Sequence, residues 1–71
     1  KKQKEAIELI KPLLKTYPIS ANLWLILSLA EYDSGDLKNA LISAKKSYEL
    51  LPDPKTQNVI MTIENEILKK K

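Results

Sequence analysis

The chain has 71 residues, with no cysteine, histidine, phenylalanine or arginine, one tryptophan and a formal net charge of +3 at pH 7. Without cysteine and histidine it has no disulfide, no thiolate nucleophile, none of the commonest transition-metal ligands and no neutral-pH general base. With no phenylalanine and only one tryptophan, the core must consist mainly of Leu, Ile and Ala, a composition that favours packed helices. We expect no catalytic activity, no cofactor and no small-molecule substrate.

The first predicted helix covers residues 2–16. Its apolar residues recur at helical spacing and define one inward face: Ala6, Ile7, Ile10, Leu13 and Leu14. Pro12 lies inside this segment and has no N–H to donate to Glu8, so a kink or local break is expected there.

The second predicted helix covers residues 21–34 and follows a turn that contains Pro18. Ser20 is the expected N-cap, and Ile19 is placed to pack on Trp24 as a hydrophobic staple. Residues 23–30 are apolar nearly all round the helix, so neighbours must cover it on at least two sides. We expect Trp24 to be buried between the second and third helices.

The third predicted helix covers residues 36–51, with Asp36 as its N-cap directly after Gly35. Its inward face contains two small residues, Ala40 and Ala44, which allow another helix to approach closely. The whole predicted face is Leu37, Ala40, Leu41, Ala44, Tyr48 and Leu51.

The fourth predicted helix covers residues 54–70, with Asp53 as N-cap and Pro54 at the first helical position. Its apolar stripe is Val59, Ile60, Ile63, Ile67 and Leu68. No segment has the pattern of a strand. The sequence therefore predicts one all-α domain over residues 1–71, built from four antiparallel helices, and the initial Lys predicts that it is a fragment of a larger protein.

An internal repeat is visible at a period of 34 residues. Residues 4–7 align with residues 38–41, and Pro18 aligns with Pro52 at the same offset. Thirty-four is the length of the tetratricopeptide repeat, and residues 21–54 resemble one complete copy. The resemblance lies in residues with the order and spacing of that family: Trp24, Leu27, Ser28, Gly35, Asp36, Leu37, Ala40 and Pro52. The chain departs from the family at Glu31, Ala44 and Ser47.

The resemblance implies a helix-turn-helix α-solenoid segment, one full repeat flanked by two half repeats. It also implies a non-catalytic protein–protein interaction scaffold that binds a peptide or helix in a groove lined by the second helix. The groove residues carried over from the family are Asn22, Leu25, Leu29, Tyr32 and Asp33. Two interpretations of their apolar part stay open: it is covered within the protein, or it is open to a partner or to a second copy.

Self-association is a further expectation, because the first helix lacks the helix that would precede it in an array. Part of the face formed by Ala6, Ile7, Ile10 and Leu13 should then be exposed.

An alternative function follows from the lysines concentrated at both ends of the chain: electrostatic binding to nucleic acid or to an anionic membrane surface. The absence of arginine disfavours nucleic acid. The longest apolar run, residues 23–30, is too short for a membrane span. The paired carboxylates, among them Glu5 with Glu8 and Asp33 with Asp36, look exposed and non-catalytic, and the single Gly35 excludes a glycine-rich phosphate loop.

Overall fold

The computed structural model describes residues 2–70, with side chains described from residue 4 onward. It contains four helices: α1 (Lys2–Thr16), α2 (Ala21–Asp33), α3 (Leu37–Leu50) and α4 (Pro54–Lys69). No strand occurs between residues 2 and 70. The predicted all-α class is confirmed, and each helix boundary lies within one residue of its predicted position.

Three side chains cap the helices as predicted. Ser20 and Asp36 each accept a hydrogen bond from the backbone N–H three residues later, at 3.3 Å in both cases. Asp53 accepts from the N–H two residues later at 2.8 Å, and Pro54 begins α4 directly behind it. Each bond satisfies a donor that the first helical turn leaves without a backbone partner. Gly35 closes the α2–α3 turn with a φ of 91°, a conformation that side chains with a Cβ rarely adopt.

Two local details differ from expectation. α1 is one continuous helix through Pro12, so the local break that was one of the two expected outcomes does not occur. The hydrophobic staple is also absent, since Ile19 is 80% exposed. Trp24 instead donates its indole N–H to the carbonyl oxygen of Pro18 at 3.0 Å, which fixes the ring to the α1–α2 turn.

α2 packs against both α1 and α3, and α4 packs against α3. The predicted central position of α2 is therefore confirmed. The contacts of Ala21 with Ser47 and of Ser28 with Ala40 run in opposite chain directions, which makes α2 and α3 antiparallel. The molecule is flat, with extents of 36 × 30 × 14 Å.

The first core cluster joins α1 to α2 and consists of Ile10, Leu14 and Leu27. Trp24 packs against this cluster and is only half-buried. The prediction that Trp24 is buried between α2 and α3 is only partly correct, since the ring is partly buried and packs on the α1–α2 cluster, where its hydrogen bond to Pro18 holds it.

The second core cluster joins α3 to α4 and consists of Ala40, Ala44 and Ile63. Ala40 has no exposed surface, and Ser28 donates to its carbonyl oxygen at 2.7 Å. A side-chain bond this short between two helices requires close backbones, so the predicted close approach at Ala40 is confirmed.

Some members of the predicted inward faces are exposed. Leu51 and Leu68 lie at the distal ends of their stripes, next to the ends of α3 and α4, and both are more than half exposed. Leu13 of α1 is also exposed, whereas Ile10, expected on a partly open face, is buried in the first cluster. The rotation of α1 on α2, which the sequence alone does not specify, decides which of these residues are covered.

Candidate functional site

The outer face of α2 contains part of the predicted groove. We use the name outer face of α2 for Asn22, Ile26, Leu29 and Asp33, which follow one another at the spacing of a single helix face and are all exposed. The predicted residues Asn22, Leu29 and Asp33 are thus brought together there. Ile26 is 49% exposed beside Leu29, at 44%, and sequence reasoning missed it. Its spacing from the other three was the signal that could have found it.

The two other predicted groove residues lie at the side of this face. Leu25 and Tyr32 are half-buried, and Tyr32 packs against the second core cluster. The sequence left two interpretations open for the apolar groove residues. Tyr32 is covered within the protein, whereas Leu29 is open to solvent.

A second exposed apolar row consists of Leu9 and Leu13 of α1 and of Tyr17 directly after it, with Leu9 71% exposed. By the repeat, Leu9 and Leu13 correspond to Ser43 and Ser47 of α3. Those serines are buried, and both hydrogen-bond to α2. The exposed row of α1 therefore occupies the face that, in α3, receives the preceding helix.

On the side of α2 that is opposite its outer face, an open cleft of about 410 Å³ lies between α1 and α3. A second cleft of about 300 Å³ adjoins it and shares Trp24 and Ile42. We call the two together the trough. Its charged and polar lining consists of Lys11, Lys15, Glu31, Asn39, Ser43, Lys45, Lys46 and Glu49.

Glu31 is a carboxylate at the floor of the trough, only 5% exposed. Ser43 Oγ donates to Glu31 Oε1 at 2.6 Å. Burial raises the pKa of Glu31; the bond from Ser43 lowers it, the charge of Asp36 raises it and the charge of Lys11 lowers it. Sequence reasoning missed this buried acid, although Glu31 follows Leu27 by four residues and so lies on the same inward face.

The other carboxylates singled out in the sequence are dispersed. Glu5, Glu8, Asp33 and Asp36 are exposed. Glu64 is exposed too and forms a long ion pair with Lys45, at 3.9 Å. Within residues 2–70, no group of three or more acidic residues is arranged to hold a metal ion. In the same part of the chain, none of the helices combines the length and the apolar character that crossing a bilayer requires.

Comparison with known proteins yields no match to a family model, to a curated protein or to a solved structure.

Proposed function

We propose that this chain is a non-catalytic interaction module of the tetratricopeptide type, which binds a peptide or helix of another protein on the outer face of α2. The observation that supports this most is the exposure of Ile26 and Leu29, two large aliphatic side chains that are neighbours on that face. Adjacent apolar residues on a helix surface are the usual anchors for a partner segment.

Polar residues at both ends of the outer face agree with such a role. Asn22 lies toward one end of α2 and Asp33 toward the other, and both are exposed. An apolar centre with polar ends is the common arrangement of a protein-binding surface. The face has no lysine, so it offers no cation to a C-terminal carboxylate, and Asp33 favours a donor group in the partner.

Selection from a peptide library tests this proposal, because it samples many candidate partner segments at once. The immobilised protein is presented with a displayed library of random peptides, and the enriched peptides are synthesised and titrated against variants. Leu29→Asp should weaken their binding about tenfold or more, as expected for a central apolar anchor. Ile19→Asp is the matched control, because Ile19 is exposed in the turn before α2 and lies outside the outer face.

Equal binding to Leu29→Asp and to the unmodified protein would contradict the proposal. Sedimentation at rising concentration distinguishes a second copy of the chain from a foreign partner. Binding that disappears at high salt but is indifferent to Leu29→Asp would instead favour the electrostatic alternative.

A further inference from the structure

We propose that the trough between α1 and α3 is a second interaction surface, which binds an acidic segment of another protein carrying a large apolar side chain. This surface is distinct from the outer face of α2. At 100° per residue, Leu27 and Glu31 lie about half a turn of the helix away from Leu29. A partner in the trough therefore leaves the outer face free.

The floor of the trough is suited to an apolar anchor. Leu27 and Trp24 form it, and Ile42 of α3 stands beside them with 55% of its surface exposed. The larger cleft, at about 410 Å³, is within the range of roughly 300 to 1,000 Å³ typical of ligand pockets. One or two large aliphatic or aromatic side chains can enter it and bury Ile42.

The rims supply positive charge on both sides. Lys11 and Lys15 of α1 are four residues apart on one helix face, and neither forms an ion pair with any side chain from residue 4 to residue 70. On α3, Lys45 and Lys46 pair only loosely, at 3.9 and 3.5 Å, with exposed carboxylates. Such surface pairs are weak, so the carboxylates of a partner can replace them.

Two acids also face the trough, and neither reverses its charge. Glu49 is exposed and paired with Lys46. Glu31 lies at the floor, where it already accepts a hydrogen bond from Ser43 and where Lys11 offsets part of its charge. Four lysines against two glutamates leave a net positive surface around an apolar centre.

A protein segment fits these features better than a nucleic acid. Base stacking needs an open aromatic face, whereas Trp24 is half-buried against the first core cluster and its N–H is bonded to Pro18. The open part of the floor is largely aliphatic, and every cation on the rims is a lysine. Aliphatic contact with flanking carboxylates is the chemistry of an acidic amphipathic peptide.

A synthetic peptide tests the proposal directly. The probe is a capped peptide of about a dozen residues, with a central pair of leucines flanked by glutamates four positions apart. Trp24 is the chain's one tryptophan and lines both clefts, so its emission reports occupancy. Backbone amide shifts should change at Lys11, at residues 13–15 and at residues 42–46, and remain constant on the outer face of α2.

Two surface variants should each weaken binding of this peptide. The double variant Lys11→Gln, Lys15→Gln removes two charges, and Ile42→Ser removes an exposed apolar contact; each should reduce affinity about tenfold. The matched controls are Lys55→Gln with Lys70→Gln and, separately, Leu68→Ser, all at exposed residues outside the trough. These controls should bind the peptide as the unmodified protein does.

Four results would overturn the proposal. The first is a dissociation constant above about 1 mM, which is negligible affinity, and the second is an equal loss of peptide affinity in the trough variants and the control variants. The third is unchanged binding of a peptide in which serines replace the leucines. The fourth is displacement of the peptide from the same residues by an oligothymidylate that binds more tightly. None of them bears on the outer face of α2, so the proposed function is tested separately.

Discussion

The contact between α1 and α2 and the contact between α2 and α3 are built in different ways. The first is made by large aliphatic side chains, with Ile10 and Leu14 of α1 against Leu27 of α2. The second is made by small residues, with Ser28 of α2 against Ala40 of α3, both without exposed surface. Large side chains hold helices apart and pack without direction, whereas small residues let the backbones approach.

Hydrogen bonds reinforce the difference. Ser28 donates to the carbonyl oxygen of Ala40 at 2.7 Å, and Ser47 donates to that of Ala21 at 2.9 Å. Such bonds are directional, so they fix the register of α3 on α2 in a way that the aliphatic α1–α2 contact does not. The α1–α2 contact should therefore be most sensitive to lost volume, and the α2–α3 contact to added volume.

Removal of volume from the α1–α2 contact should have the largest effect. Leu27 is buried in the first core cluster, and Leu27→Ala should lower the free energy of unfolding by about 2 to 5 kcal/mol. For so small a domain that is a large part of the total stability. Urea unfolding followed by circular dichroism measures the change.

Leu29→Ala is the control, because Leu29 is on the same helix but substantially exposed. It should cost less than about 1 kcal/mol. Equal losses for the two variants would show that the first cluster is not the core of this contact.

Addition of volume to the α2–α3 contact should have a smaller but clear effect. Ala40→Leu inserts three carbon atoms where no space exists and should destabilise by about 1 to 3 kcal/mol. Ala6 is the counterpart of Ala40 in the repeat, and it is half-buried on α1. Ala6→Leu should therefore be tolerated, and thermal unfolding of the two variants provides the comparison. Similar losses of stability at both positions would mean that the surroundings of Ala6 on α1 are packed as tightly as those of Ala40 on α3.

The smallest effect concerns the charge of Glu31. Because burial raises its pKa, the folded state favours the protonated carboxyl, and this contribution to stability is present at acid pH and lost as pH rises through that pKa. Glu31→Gln keeps an acceptor for Ser43 and cannot titrate. The unmodified protein should therefore lose stability relative to this variant as pH rises above about 4.5, the ordinary pKa of a glutamate.

Ser43→Ala sharpens this test. The hydrogen bond from Ser43 lowers the pKa of Glu31, so loss of this bond should raise that pKa further. The pH dependence of stability should then extend to higher pH. Parallel stability curves for Glu31→Gln and the unmodified protein would contradict the burial of a titrating group.

Local chemistry was enough to predict the helices. Ser20, Asp36 and Asp53 each have a short acceptor side chain directly before an apolar-periodic segment, and Gly35 has the left-handed turn that a glycine permits. These signals act within a few residues, so the boundaries were predictable without tertiary information. The small size of Ala40 likewise predicted where two helices approach.

Tertiary structure alone decided how each helix is rotated on its neighbours. An apolar stripe is wider than the contact it makes, so the sequence could not tell that Leu14 would be covered and its neighbour Leu13 left exposed. Ile26 and Leu29 became the centre of the outer face because α1 and α3 pack on the other sides of α2. Glu31 became buried because α3 approaches closely enough for Ser43 to bond it. Periodicity determines which residues share a face, whereas contacts between distant segments determine which part of that face excludes water.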